Sequence, residues 1–200
     1  MNNKAQPNDF WGRWREIISD PINLLIDRDR NSGMADKEGY VYLHNGNKVP
    51  LSGENSYYGD FSKVLVLNRG VHEPLEEFCF QEMLKKIKVQ KPLMIELGSY
   101  WAHYSMWFKK KFPEAECFMV EERAEGLNVG RSNFAANNFT NGQFIHSKVS
   151  NQSLVGGKEV PPVKIVAGVA TLFNQLLFSG KIKGRVNKND ISNTNKILIK

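Results

Sequence analysis

The chain has 200 residues, of which 41% are hydrophobic and 24% charged, and a formal net charge of +6. This length suits one domain with a sizeable core, and no apolar run approaches the roughly 20 residues that a membrane-spanning helix needs. The N-terminus lacks the apolar core of a signal peptide, so we expect a cytoplasmic protein with no membrane partner.

The positive charge is concentrated in residues 151–200, where eight basic and two acidic residues account for the whole net charge. Aromatic residues are not interleaved with these cations, so a solvated lysine-rich surface is favoured over a nucleic-acid interface. Cys79 and Cys117 have apolar neighbours, which predicts buried free thiols. The four histidines show no metal-ligand spacing, and no metal site is predicted.

Residues 1–70 are predicted to form an N-terminal extension built from a helix and a β-hairpin. Aromatic and aliphatic residues recur at helical spacing over 9–18, which predicts a short amphipathic helix. Two apolar strands, Tyr40–His44 and Lys48–Leu51, flank Asn45-Gly46, a pair that favours a type I′ turn. Pro50 cannot donate to a ladder and indicates an edge strand.

Residues 71–150 alternate between helical and strand patterns. A helix begins at His72-Glu73-Pro74, with glutamates in its first turn and lysines in its last, which suits the helix dipole. The predicted strands lie at 93–97, 117–120 and 143–149, and the predicted helices between them end at Pro113 and near Asn137. This order predicts an α/β fold with a right-handed parallel sheet and flanking helices.

Residues 151–200 have a less defined pattern. A strand over 163–166 and a helix over 167–178 are predicted, followed by a basic polar stretch. Ile197–Ile199 resembles the start of a further apolar strand. We therefore expect a Rossmann-like core that is incomplete after its third strand.

Two acidic residues mark the predicted functional site at the carboxyl edge of the sheet. Glu121 ends the second strand, 25 residues after Glu96, where a carboxylate can accept hydrogen bonds from both ribose hydroxyls of an adenosine ligand. Gly98 lets the backbone approach that ligand closely. Backbone amides near Tyr100 to His103 could bind a carboxylate of the ligand, and Glu96 could bind an amine of the ligand. This pattern predicts a site for S-adenosylmethionine (SAM).

A dinucleotide fits the same turn less well. The fingerprint Gly-x-Gly-x-x-Gly needs glycines where Tyr100 and His103 stand, so an NAD-type oxidoreductase is disfavoured. A Rossmann-like core whose turn glycine has only a structural role stays open as an alternative.

These residues carry a resemblance to FkbM-type class I SAM-dependent methyltransferases. The similar stretches are Met94–Phe108, Phe118–Glu121, Asn128–Phe134 and, upstream, Gly70–Pro74 and Tyr40–Gly46. The resemblance implies a class I methyltransferase core, SAM as cofactor, and O-methylation of a sugar or another small hydroxylated acceptor. Glu96, Gly98 and Glu121 match the family positions that hold SAM. The predicted cofactor site consists of Glu96, Gly98, Ser99, Tyr100, Glu121 and Glu122.

The chain departs from the family at three points. Ala102 stands where a third glycine is common, Glu122 stands where proline is common, and the acidic motif that ends the family's fourth strand is missing. We therefore expect a truncated product. The alternative is a non-catalytic Rossmann-like domain that binds a nucleotide-like ligand weakly or self-associates as a homo-oligomer. His72 and His103 are candidate bases, and no catalytic residue is assigned.

Overall fold

The computed structural model of the protein describes residues 10–57, 59–148 and 196–199. The chain divides into two compact units, Met1–Phe78 and Cys79–Lys200, which we call the N-terminal and C-terminal units. Within the described ranges, no helix is both long and apolar enough to cross a membrane. The strand and helix predicted over 163–178 lie outside the described residues.

The N-terminal unit begins with helix α1 (Phe10–Ser19), as the helical spacing predicts. The apolar face of α1 is only partly covered within the described residues, since Trp14 and Ile17 are buried while Trp11 is 69% exposed. A short 3-10 helix (Pro21–Leu25) follows directly, because a proline has no N–H with which to continue the ladder of α1.

The predicted hairpin is confirmed, but its turn is wider than predicted. Strands β1 (Tyr40–Tyr42) and β2 (Lys48–Pro50) pair antiparallel, with two buried valines facing each other at the centre. The Leu43 N–H donates to the Asn47 carbonyl at 2.8 Å, which closes a five-residue loop. Asn45 does not adopt the positive φ that a type I′ turn requires.

Two α-helices follow the hairpin in the chain. A 3-10 turn (Gly59–Ser62) leads into α2 (Lys63–Leu67), whose Val64 and Leu65 are fully buried. Helix α3 (Pro74–Lys86) has the predicted acidic first turn and basic last turn, and the boundary between the units falls within it.

The C-terminal unit contains the parallel sheet that the sequence predicts. Its strands are β3 (Leu93–Leu97), β4 (Glu116–Glu121), β5 (Gly142–His146) and β6 (Lys196–Ile199), in the spatial order β5-β4-β3-β6. All neighbours pair parallel. This is the 3-2-1-4 order of a Rossmann-like fold, which reverses direction at β3.

Two crossover helices flank this sheet. Helix α4 (His103–Lys111) contacts β3 and β4, and α5 (Ala124–Ala136) contacts β4 and β5. The strand centres are apolar, and Ile95, Phe118 and Val120 form a core cluster with partly buried neighbours. The fold class, a Rossmann-like α/β core with a parallel sheet and flanking helices, is confirmed, and β6 adds a fourth strand to it.

The two cysteines are buried free thiols, as predicted. Burial raises the pKa of Cys117 to about 12, and the nearby Glu96 carboxylate adds to this rise while Lys109 opposes it. A thiol with such a pKa stays protonated at neutral pH, so Cys117 acts as a small apolar side chain of the core.

Candidate functional site

The carboxyl ends of β3, β4 and β5 are tied together at one edge of the sheet. The N–H groups of Gly98 and Ser99, just after β3, both donate to the Val120 carbonyl, at 2.8 and 3.0 Å. Beyond β5, the Ser147 N–H donates to the Glu121 carbonyl at 3.1 Å. The glycine turn therefore lies directly beside the end of β4, where open α/β sheets bind their ligands.

Glu121 connects this turn to the start of α5 through its side chain. One oxygen, Oε2, accepts the Tyr100 N–H at 3.1 Å, and the other, Oε1, accepts the Arg123 N–H at 3.1 Å. The residue is only 5% exposed. Two backbone donors thus fix the orientation of a carboxylate that the sequence predicts to be the ribose acceptor.

The turn from Gly98 to Ala102 has an unusual backbone. Gly98, Tyr100 and Ala102 all have positive φ, at 68°, 38° and 58°. Left-handed backbone costs a non-glycine residue roughly 1–2 kcal/mol, so the surrounding contacts hold Tyr100 and Ala102 in place. A Cβ added at Gly98 would meet no atom of the described residues within 4 Å apart from its chain neighbours, so these residues leave space open beside the turn.

Glu96 makes a hydrogen bond within the chain that the sequence did not predict. Its Oε2 accepts the Ser105 N–H at 3.0 Å inside the unit, and the residue is 4% exposed. Ala102, at the N-cap of α4, has no side chain that could cap the helix. One oxygen of the Glu96 carboxylate therefore satisfies an amide in the first turn of α4, and the predicted contact of Glu96 with a ligand amine stays a prediction.

The amides predicted to receive a ligand carboxylate are partly used within the chain. The Tyr100 N–H donates to Glu121, and the Ala102 N–H donates to the Ser99 carbonyl at 2.6 Å. Ser99 itself is 3% exposed, and its Oγ lacks a hydrogen-bond partner among the described residues. The Ser99 hydroxyl could therefore hydrogen-bond to a ligand beside the turn.

Glu122, the residue after Glu121, has an exposed side chain. Its side chain is 57% exposed and its carboxylate is 3.9 Å from the Lys148 ammonium. Its carbonyl lies 3.1 Å from the His146 ring. Glu122 thus follows the site in sequence but has a solvated surface environment.

Two glycines on α5, which were not predicted as site residues, lie close to the turn and to Glu121. A Cβ at Gly130 would lie 2.8 Å from the Tyr100 carbonyl oxygen, and a Cβ at Gly126 would lie 3.2 Å from the Glu121 side chain. The sequence analysis treated neither glycine as a contact. Their spacing of four residues puts both on one helix face, which was the available signal for close approach.

Asn133 and Arg123 were also missed. Asn133 is fully buried and its Nδ2 donates to the Trp101 carbonyl at 3.0 Å, which ties α5 to the turn. The Arg123 guanidinium lies 5.3 Å from the centre of the Tyr100 ring. Nothing in the local sequence pattern distinguishes these two residues from other polar residues of α5.

The two candidate bases are both buried. His103 opens α4, is 1% exposed, and stacks on Trp101 with ring centres 4.9 Å apart and planes 15° apart. His72 lies in the N-terminal unit and is 2% exposed. Neither ring is presented to solvent as a general base.

His72 belongs to an ionic network within the N-terminal unit. The Glu77 carboxylate lies 2.5 Å from His72 Nδ1 and 2.7 Å from His44 Nε2, and its Oε1 accepts the N–H groups of His72 and Glu73 at 2.9 Å. Glu77 lies in the acidic first turn of α3, as predicted, but its complete burial was not predicted.

The network shifts the pKa values of its members. Burial opposes the charge on His72, but Glu77 and Glu73 favour it more strongly and raise the pKa of His72 to about 9. Burial opposes the charge on Glu77 as well, yet the two histidines hold its pKa well below 4.5. His72 is therefore a cation in a structural network at neutral pH.

Comparison with solved structures gives distant partial matches. The YcgJ protein from Bacillus subtilis has 20% identity and a TM-score of 0.29, over 33% of this chain and 28% of that chain. A putative protein-L-isoaspartate O-methyltransferase from Plasmodium falciparum, solved with S-adenosyl-L-homocysteine (SAH), has 14% identity and a TM-score of 0.32, over 70% and 63%. This chain thus spans less than two thirds of either structure. No family model matches the sequence, and no curated protein matches it.

Proposed function

We propose that the C-terminal unit binds SAM at the carboxyl edge of its sheet and transfers the methyl group to a small hydroxylated acceptor. The observation that carries this proposal is the Glu121 carboxylate, which two backbone N–H groups orient beside the glycine turn. A carboxylate has about four acceptor positions, so two backbone bonds leave one position on each oxygen. One position per oxygen that is not used by a backbone N–H suits the two neighbouring hydroxyls of a ribose.

The surroundings of Glu121 support a cofactor without phosphates. The side chain of Tyr100 stands where a dinucleotide fold has its second glycine, although its φ of 38° is of the kind that glycine adopts. A pyrophosphate needs the backbone to be bare at that point, whereas SAM has no phosphate. The open space beside Gly98 and the unpartnered Oγ of Ser99 fit a polar ligand next to the turn.

SAM would supply an electrophilic methyl group on its sulfonium. The residues of the chain would hold the adenosine through Glu121 and position the cofactor along the turn from Gly98 to Tyr100. Positioning of the acceptor and exclusion of water are the main requirements of such a displacement. The acceptor class is the part of the proposal that depends on the family resemblance alone.

A second candidate function is binding of SAM or a similar nucleoside without methyl transfer. The burial of His72 and His103 favours it, because neither of the predicted bases presents its ring to an acceptor.

A transfer assay tests both candidates. The full chain is incubated with SAM that carries a labelled methyl group and with a panel of hydroxylated small molecules. Methyl transfer predicts label in an acceptor and an equal yield of SAH, both lost in Glu121→Gln. Binding of SAM without any labelled product would instead support the second candidate, and failure to bind SAM would contradict both.

A further inference from the structure

The Arg123 side chain covers the carboxylate that the proposed function assigns to the ribose. Besides the backbone N–H of Arg123, its Nε lies 3.4 Å from Glu121 Oε1. The guanidinium also lies over the ring of Tyr100, 5.3 Å from its centre. We call the Arg123 side chain, the Tyr100 ring and the Glu121 carboxylate the Arg123 latch.

The number of acceptor positions on Glu121 shows what the latch does. The two backbone N–H groups occupy one position on each oxygen, and Arg123 Nε takes the second position on Oε1. Only Oε2 then has a free position. A pair of neighbouring hydroxyls needs one acceptor on each oxygen, so it can bind to both only after Arg123 Nε leaves.

The latch is weak enough to open. The Arg123 side chain is 57% exposed, and its bond to Glu121 is long. Exposed ion pairs and exposed cation–π contacts each contribute little, because water competes for the charge. The backbone bonds to Glu121 do not involve the side chain, so the carboxylate keeps its orientation when the side chain moves.

We infer that Arg123 is a specificity-determining residue that competes with the ribose diol for Glu121 and so lowers the affinity of the site for adenosine ligands. This inference rests on the proposed binding of such a ligand at Glu121. A ligand that makes both hydroxyl bonds compensates for the loss of the Arg123 contact, whereas a ligand without the diol does not.

Arg131 provides a matched control on the same helix. Its guanidinium lies 5.3 Å from the centre of the Phe144 ring and donates to the Phe144 carbonyl at 3.4 Å. Within the described residues it makes no hydrogen bond or ion pair with Glu121 or the turn. Substitution of Arg131 by alanine removes the same charge and the same kind of ring contact elsewhere on α5.

The test is a calorimetric titration of the full chain with SAH in wild type, Arg123→Ala and Arg131→Ala, at low and high salt. We expect Arg123→Ala to bind SAH roughly three- to fivefold more tightly than wild type at low salt, and Arg131→Ala to match wild type. High salt screens the ion pair and should bring the affinity of wild type closer to that of Arg123→Ala. Equal or weaker binding by Arg123→Ala overturns the inference.

A second measurement tests the contact between Arg123 and Glu121 independently of SAH binding. The Nε–H resonance of Arg123 is recorded by NMR without ligand in wild type and in Glu121→Gln. A shift or faster exchange of that resonance in Glu121→Gln supports the latch even if no variant binds SAH, in which case the proposed function fails alone. An unchanged resonance overturns the latch.

Discussion

At the scale of single residues, Glu96 and Glu121 show how far a motif defines a site. Their positions at strand ends follow from the sequence, because apolar runs and the glycine turn identify the strands. Their partners do not follow, since the Ser105 N–H lies nine residues from Glu96 and the Tyr100 N–H lies 21 residues from Glu121. Contacts over such separations depend on the packing of helices on the sheet, which no local pattern reports.

The capping role of Glu96 is tested by two substitutions. Glu96→Gln retains a carbonyl oxygen that can accept the Ser105 N–H, so we expect a small loss of stability. Glu96→Ala leaves that buried N–H without an acceptor and should lower the free energy of unfolding by about 1–3 kcal/mol more. Urea denaturation of both variants measures the difference. Equal stability of the two would show that the hydrogen bond has no effect.

Gly130→Ala is expected to destabilise the protein, although alanine normally stabilises a helix interior by about 1 kcal/mol relative to glycine. Its Cβ would lie 2.8 Å from the Tyr100 carbonyl, and overpacking of this kind costs about 1–3 kcal/mol. Ser132→Ala, on the exposed side of α5, is the control and should be neutral or slightly stabilising. Thermal unfolding compares the two, and a Gly130→Ala variant more stable than wild type would contradict the close contact.

At the scale of secondary-structure elements, α3 shows both the success and the limit of pattern reading. Its range and the charges at its ends follow from propensity and the helix dipole. The burial of Glu77 could not be read from the sequence, because Glu73, Glu76 and Glu77 all suit a first helical turn equally well. The two histidines that pair with Glu77 come from the hairpin loop and from the segment just before α3.

The Glu77 network predicts a pH dependence of stability with two limbs. The raised pKa of His72 means that its contribution is complete below about 6.5 and is lost as the pH rises through about 9. The lowered pKa of Glu77 means that its contribution is complete above 4.5 and is lost as the pH falls further. The contribution of the network should therefore be largest between pH 4.5 and 6.5.

Thermal unfolding of wild type and Glu77→Gln between pH 4 and 10 tests this dependence. Removal of one partner of a buried ion pair costs about 3–5 kcal/mol, so we expect the largest difference between the two proteins inside that window and a smaller one at both ends. Glu82→Gln breaks an exposed pair with Lys85 on the same helix and should have little effect at any pH. A difference that does not change with pH would contradict the ionic account.

At the scale of the whole molecule, the local sequence pattern was sufficient to predict most elements of the parallel sheet and its crossover helices. Each of these is a continuous run with its own period and end signals: β3, α4, β4, α5 and β5. The apolar run Ile197–Ile199 indicated a strand, but no local signal showed which strand β6 pairs with in the sheet. It pairs with β3 in the register Leu93↔Lys196, about a hundred residues away along the chain. This pairing makes β3 the strand at which the sheet order reverses, and so places the glycine turn at the point where such folds bind ligands.

The most direct test of the account is a calorimetric titration of wild type, Glu121→Gln and Glu122→Gln with SAH. The account predicts that wild type and Glu122→Gln bind SAH with similar affinity, because the Glu122 side chain is 57% exposed and its carboxylate lies 3.9 Å from the Lys148 ammonium. Glu121→Gln should bind roughly tenfold to a hundredfold more weakly, since hydrogen bonds to a charged acceptor contribute about 1.5–3 kcal/mol. Binding of SAH that is unchanged in Glu121→Gln, or absent in wild type, would contradict the central claim.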